Sequence, residues 1–264
     1  AADGLDNDRN GYTDDIMGWD FVDDIFADDV YPGEDREGED NDPDDFQGHG
    51  TLVAGTAAAV GNNGIGVAGV TWGCQIMILR AGYSVVHETA GSHGQVPATL
   101  VCAAIRYAAE NGADIINISS GGYDACHYEL ASLEYASDHG CVVVAAAGNE
   151  ASDGLLYPSS YESVVSVAST DSLSDAKADF SNFGPCIDVA APGVDIGTTA
   201  LYGGYKRADG TSLSSPIVAG IAALTKSIHP GWDRQQIVNQ LVATSDRVDQ
   251  ENPSFVGMLG AGRI

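Results

Sequence analysis

Residues 142–149 read Val-Val-Val-Ala-Ala-Ala-Gly-Asn. Six apolar residues in a row, three of them β-branched, are typical of a strand buried inside a parallel sheet. We predict this strand over Val142–Ala146, followed by a glycine turn. The turn places the amide of Asn149 beyond the carboxyl end of the strand, where open parallel sheets collect their ligands.

Similar short runs recur on both sides of this strand and alternate with longer helical patterns. Further strands are predicted over Ile76–Leu79, Asp114–Ser119, Val164–Ala168 and Ile187–Ala190, and helices over His49–Val60, Pro97–Asn111, Tyr128–His139, Ser212–Ile228 and Arg234–Ala243. The alternation is typical of βαβ units, so the sequence predicts an α/β fold with a mainly parallel sheet. With 264 residues, 44% of them apolar, a single domain is the simplest interpretation.

The composition excludes some partners. The formal net charge is −27, which repels phosphate backbones, so we expect no nucleic acid partner. No stretch approaches the roughly 18–20 consecutive apolar residues of a membrane helix, so we expect no membrane insertion. The cysteines share no C-x-x-C spacing, and the sequence leaves open whether they are small core residues or form one or two disulfides; they are Cys74, Cys102, Cys126, Cys141 and Cys186.

The acidic residues are concentrated at the start, where residues 1–46 contain 18 Asp or Glu. Within this region, residues 6–14 read Asp-Asn-Asp-Arg-Asn-Gly-Tyr-Thr-Asp and fit the pattern D-x-D-x-N-G-x-x-D. Oxygen ligands at alternate positions, with glycine at the sharp turn, are typical of a calcium loop. The expected ligands are Asp6, Asp8, Asn10, Tyr12 and Asp14. A solvated acidic linker is the alternative interpretation.

Two further motifs place a reactive side chain at the start of a predicted helix. Residues 47–55 read Gln-Gly-His-Gly-Thr-Leu-Val-Ala-Gly, and residues 210–216 read Gly-Thr-Ser-Leu-Ser-Ser-Pro. His49 can act as a base near neutral pH, and Ser212 lies at the positive end of its helix dipole. Taken one at a time, Ser212 is more often a helix cap, His49 a structural residue and Asn149 a turn residue.

Together, the three segments resemble the subtilisin-like serine proteases, the subtilase family, in sequence, order and spacing. The family's motif H-G-T-H-V-A-G is matched over residues 49–55 except at Leu52, and G-T-S-M-A-S-P over residues 210–216 except at Leu213 and Ser214. The resemblance covers nearly the whole chain. It implies a three-layer α/β/α, subtilisin-like fold and the hydrolysis of peptide bonds in a peptide or protein substrate.

The resemblance also implies roles for individual residues. Ser212 is the nucleophile, His49 takes and returns its proton, and Asn149 stabilises the oxyanion together with the Ser212 amide. The substrate cleft has one wall made by Ser119, Ser120 and Gly121, a second wall made by Ala146, Ala147 and Gly148, and Leu156 at the floor of the S1 pocket. Leu156 favours a medium apolar P1 residue, whereas Glu150 would attract a basic one, and the sequence does not choose.

Several expectations about the whole protein follow from the same resemblance. It implies a second calcium loop that uses Asn63, a propeptide in the precursor and a secreted, extracellular protein. The family's Asp motif, D-T-G or D-S-G before the histidine, does not occur in this chain. We therefore expect residues 1–264 to be one peptidase domain truncated at both ends, with the acidic calcium-binding region 1–46 inside it and weak activity on its own. A catalytically silent binding module and an extracellular calcium-binding module remain alternatives.

Overall fold

The computed structural model describes residues 3–23, 25, 30–87 and 91–264. In chain order its elements are β1 (Gly18–Asp20), α1 (His49–Ala58), β2 (Ile78–Arg80), β3 (Tyr83–His87), β4 (Gly91–Gln95), α2 (Ala98–Glu110), β5 (Ile115–Ile118), α3 (His127–Asp138), β6 (Val142–Ala146), β7 (Val164–Thr170), β8 (Val189–Pro192), β9 (Ile196–Ala200), β10 (Gly204–Ala208), α4 (Thr211–Ile228) and α5 (Arg234–Ala243). A short 3-10 turn, Leu201–Gly203, joins β9 to β10.

The centre of the molecule is a four-stranded parallel sheet in the order β5-β6-β7-β8. Side chains of β6 alternate between its two faces, as a period of two residues requires. Val143 and Ala145 pack in the cluster that α2 and α3 cover, whereas Val142 and Val144 pack in the cluster that α4 and α5 cover. The predicted three-layer α/β/α arrangement, with a mainly parallel sheet, is confirmed.

Three smaller sheets surround this core. Strands β1 and β2 pair in parallel, and β3–β4 and β9–β10 are antiparallel hairpins. The buried guanidinium of Arg80 on β2 forms ion pairs with the carboxylates of Asp20 and Glu34. Because a buried charge is costly unless it is paired, this cluster fixes the acidic N-terminal segment to the rest of the molecule. Among the described residues, none of the helices has the length and apolar character that a bilayer span requires.

The predicted elements are found with small shifts at their ends. Helix α1 ends at Ala58 rather than Val60, β2 begins at Ile78 rather than Ile76 and ends at Arg80 rather than Leu79, and β8 begins at Val189 rather than Ile187. Strand β1 and both hairpins were not predicted. The hairpin strands are rich in glycine, serine, threonine or charged residues, and their polar composition hides the alternating pattern that identifies strands.

Candidate active site

The carboxyl ends of β5 and β6 bring two polar segments to the same edge of the sheet, against the first turn of α4. Ser119 follows β5, and Ser212 is the second residue of α4. The Oγ of Ser119 donates to the backbone oxygen of Ser212 at 3.0 Å, and the Oγ of Ser212 donates to the backbone oxygen of Ser119 at 3.3 Å. This reciprocal pair fixes the start of α4 beside the end of β5.

The amide of Asn149 is oriented by Thr211, the residue before Ser212. Its Oδ1 accepts hydrogen bonds from both the backbone N–H and the Oγ1 of Thr211, each at 2.9 Å. The hydroxyl of Thr211 is buried and accepts in turn from the N–H of Gly148 at 3.2 Å. Because the amide oxygen of Asn149 is occupied on this side, its Nδ2 group remains to donate to a bound group.

His49 is the first residue of α1, and the carboxylate of Asp45 caps this helix. Asp45 accepts from the N–H of Gly48 at 2.6 Å and from the N–H and Oγ1 of Thr51, both at 2.7 Å. His49 is exposed to solvent, yet partial desolvation of its ring lowers its pKa, and the ammonium of Lys206 lowers it further. The negative charge of Asp45 acts in the opposite direction.

The two reactive side chains lie at the starts of two helices, α1 and α4, that pack against each other. Within the described part of the chain, the ring of His49 makes no hydrogen bond with Ser212 or with a carboxylate, and the hydroxyl of Ser212 instead donates to Ser119. Catalytic hydrogen bonds are often long or misaligned without substrate and tighten when it binds. A transfer of the Ser212 proton to His49 would therefore first require release of the bond to Ser119.

Leu156 lies between the two predicted walls of the cleft. A Cβ at Gly121 would be 3.0 Å from the Cδ2 of Leu156 and 2.5 Å from the backbone oxygen of Tyr157. A Cβ at Gly148 would be 2.9 Å from the same Cδ2 and 2.4 Å from the Nδ2 of Asn182. Only glycine fits at these two positions, and the side chain of Leu156 reaches both.

The other wall residues are placed around this leucine. Ala146 and Ala147 are buried, and Ser119 and Ser120 are half-buried. The Oε2 of Glu150 accepts from the Nδ2 of Asn182 at 2.8 Å and would be 2.6 Å from a Cβ at Gly148. An apolar side chain and a carboxylate therefore both lie next to Gly148.

The family model described as the subtilase family matches residues 3–262 of this chain. The chain belongs to the subtilase family. A thermophilic serine proteinase from Bacillus sp. (strain AK1) is 39% identical over 244 residues, which are 91% of this chain and 53% of that protein. Thermitase from Thermoactinomyces vulgaris is 38% identical over 233 residues, 88% of this chain and 74% of that protein. The chain thus spans about half the length of the first of these relatives.

Solved subtilase structures share the fold. A protease from Pseudoalteromonas arctica PAMC 21717 superimposes with a TM-score of 0.77 and 30% identity, over 94% of this chain and 80% of that one. A cold-adapted subtilisin-like serine proteinase gives a TM-score of 0.71 and 31% identity, over 84% of this chain and 76% of that one. The predicted subtilisin-like fold is confirmed.

Three residues near the candidate site received no role from the sequence. Asn182 stabilises the loop after β6. Its Nδ2 donates to the backbone oxygen of Ala147 at 2.9 Å, and its Oδ1 accepts the N–H of Glu150 at 3.0 Å. Asp45 accepts N–H groups at the start of α1, but it lies three residues before the N-cap residue Gly48, outside the position at which an aspartate indicates a cap. Lys206 gave no sequence signal, because the hairpin that carries it was not predicted.

The predicted calcium loop forms a compact turn. The carboxylate of Asp6 accepts the N–H groups of Arg9, Asn10 and Gly11 at 2.7, 3.2 and 3.0 Å, and Gly11 has a φ of 96°, which glycine readily adopts. The Oδ1 of Asn10 accepts the N–H of Tyr12 at 2.8 Å.

The carboxylates of this loop do not converge on one point. Asp14 accepts the N–H groups of residues 3 and 4, and Asp8 accepts the N–H of Asn10 at 3.3 Å. In the described ranges of the chain, no three acidic, histidine or cysteine side chains are arranged to hold a metal ion. In the second predicted loop, the Oδ1 of Asn63 accepts the N–H of Ile65 at 3.0 Å, as in an ordinary glycine-rich turn.

Proposed function

We propose that this chain is the peptidase domain of a serine endopeptidase with Ser212 as nucleophile, His49 as general base and Asn149 in the oxyanion hole. The observation that carries the proposal is the orientation of Asn149. Two donors from Thr211 hold its amide oxygen, so its amide nitrogen is free to donate beside Ser212. A neutral donor held in this way stabilises a developing negative charge without reorganising during the reaction.

The proposed reaction follows from these positions. Ser212 releases its hydrogen bond to Ser119, passes its proton to His49, and its Oγ forms a bond with the carbonyl carbon of the scissile peptide. Asn149 and the backbone N–H of Ser212 stabilise the oxyanion. His49 then gives the proton to the leaving amine, and water hydrolyses the acyl-enzyme by the same steps. The lowered pKa of His49 keeps the imidazole neutral, as a base must be.

The substrate in this proposal is an extended segment of a peptide or protein. It lies between residues 119–121 and residues 146–148 and adds a strand along the first of these edges. Leu156 reaches both walls and fills the space that a P1 side chain would approach. The relatives' names support proteolysis as the activity, and extracellular export and a propeptide in the precursor are part of the same proposal.

Labelling with an active-site fluorophosphonate tests the proposal directly. We expect a covalent adduct on Ser212 and hydrolysis of a chromogenic peptide, and loss of both in S212A. The matched control is S227A, on the exposed side of the same helix, which retains both. A protein that folds but neither reacts at Ser212 nor cleaves a broad peptide library is a silent module, and the enzymatic proposal is then wrong.

We also propose that the loop 6–14 binds calcium. The support is the oxygen-rich pattern and the turn in which Asp6 accepts three N–H groups around Gly11. Calcium would be held by Asp6, Asp8, Asn10, Tyr12 and Asp14, with Asn63 in a second loop, and would serve stability rather than any chemical step.

Isothermal titration after removal of metals by a chelator tests the calcium proposal. We expect heat on adding calcium to the native chain and a weaker affinity in D8N, with no change in D138N on the surface of α3. A titration of the native chain without heat contradicts calcium binding and leaves the catalytic proposal untouched.

A further inference from the structure

The backbone carbonyl of Ser212, in the first turn of α4, lacks its regular helical donor. In an α-helix a carbonyl accepts from the N–H four residues later, and the residue four positions after Ser212 is Pro216, which has no N–H. The hydroxyl of Ser119 takes this place, because its Oγ donates to the backbone oxygen of Ser212 at 3.0 Å. The start of α4 at Ser212 is therefore held in part by a side chain from the end of β5.

The direction of the Ser119 hydrogen bond is set by Asn117 of β5. The alternation of this strand places Asn117 on the same face as Ile115, which α4 covers. There its Nδ2 donates to the Oγ of Ser119 at 3.0 Å, and its Oδ1 accepts from the buried hydroxyl of Ser215 in α4 at 2.7 Å. Because an amide nitrogen can only donate, the single hydrogen of the Ser119 hydroxyl is left for the carbonyl of Ser212.

We propose that Asn117 is a positioning residue for the reaction at Ser212. A polar side chain between isoleucines of a strand is costly unless it is hydrogen-bonded, and here both ends of the amide are used to tie α4 to β5. Asn117 acts through Ser119, and it holds the backbone that carries the Oγ and N–H of Ser212 beside Asn149. The effect on rate rests on the proposed function, whereas the chain of hydrogen bonds does not.

The kinetics of N117A, S119A and the double variant test the inference. Each single variant should lower kcat by about five- to tenfold with KM unchanged, because one hydrogen bond that holds the nucleophile's backbone is lost. The double variant should keep the kcat of S119A, since Asn117 acts only through Ser119. The control N239A removes an exposed amide on α5 and should retain the native values. Effects that multiply in the double variant, or a loss confined to KM, would overturn the inference.

A shape-matched variant covers the case in which N117A does not fold. N117D keeps the outline of the side chain and an acceptor for Ser215, but its ionised carboxylate has no donor for Ser119. The hydrogen of the Ser119 hydroxyl is then drawn toward the carboxylate and away from Ser212. We expect N117D to lower kcat at least as much as N117A. A native kcat in N117D would contradict the proposed role.

A measurement without peptidase activity separates this inference from the proposed function. In the S212A background the backbone carbonyl of residue 212 is retained, and its 13C resonance can be followed by NMR. We expect S119A to shift this resonance upfield, because the donor is lost, and N117A or N117D to shift it in the same direction. A resonance that stays in place in either kind of variant overturns the inference. A native chain without activity contradicts the proposed function alone, and the carbonyl shifts still decide whether Asn117 orients the Ser119 hydroxyl.

Discussion

The two sides of the candidate site are built in different ways. On the serine side, Thr211 donates to Asn149 and Ser119 donates to Ser212, so that short hydrogen bonds hold both segments to the start of α4. On the histidine side, the described residues hold the start of α1 through Asp45, while the pKa of the His49 ring is set by its desolvation and by the charges of Asp45 and Lys206. Changes on the serine side should therefore lower the rate of hydrolysis at every pH. Changes around His49 should instead shift the pH profile of that rate.

Replacing Asn149 by alanine should have the largest effect of the three changes that test this comparison. Removal of one oxyanion donor lowers kcat by about 10²–10³-fold in subtilisin, and we expect a loss of that order here with little change in KM. The donor acts on the transition state rather than on the bound substrate, so the loss should be the same across the pH profile. A loss confined to KM would show that Asn149 binds substrate without stabilising the oxyanion.

Replacing Thr211 by valine should have an intermediate effect. Valine has nearly the same shape but removes the hydroxyl that bonds to Asn149 and to the N–H of Gly148. Loss of the bond to Asn149, worth about 1–1.5 kcal/mol, corresponds to roughly a tenfold decrease in kcat, and loss of the bond from Gly148 adds a small loss of stability. T211S keeps the hydroxyl and should restore most of the rate. Equal losses in T211V and T211S would point to packing rather than to orientation of the amide.

The sequence predicted the central sheet well, and the elements that carry the serine-side residues are found where they were expected, because both depend on local signals. The apolar run ending at Asn149 and the Gly-Thr-Ser turn at residues 210–212 each fix a strand or helix end close to the chemistry. Leu156, predicted at the floor of the S1 pocket, lies near Gly121 and Gly148, and its role in the pocket stays a prediction. These residues lie within a few positions of a strand or helix end, so a correct prediction of that element also predicts where they lie.

The surroundings of His49 were less predictable, because they depend on distant parts of the chain. Thr198 and Thr199 of β9 donate to the backbone oxygens of Leu52 and Thr51 in α1, which brings the β9–β10 hairpin against the histidine helix. These strands are short and polar, and their pairing with each other is the only signal that defines them. The influence of the Lys206 ammonium on His49 could therefore be recognised only from the structure.

Removing the charge of Lys206 should have the smallest effect of the three changes, and it tests the histidine side specifically. Lys206 pairs directly with Thr198 across the hairpin, and side chains opposite each other in an antiparallel pair project to the same face, here toward α1. The ammonium of Lys206 lowers the pKa of His49, so K206M should raise that pKa. Because His49 acts as a base only when neutral, the acidic limb of the pH profile of kcat/KM should move to higher pH, with an unchanged plateau.

Arg207→Met is the matched control for this charge. Arg207 is the next residue on β10, projects to the opposite face and is paired with the exposed carboxylate of Asp195. Its removal should leave the acidic limb in place, and added salt should reduce the difference between K206M and the native chain, because Lys206 is exposed to solvent. If both variants move the limb equally, the pKa of His49 responds to the overall charge of the protein, and the local influence that distinguishes the histidine side does not exist.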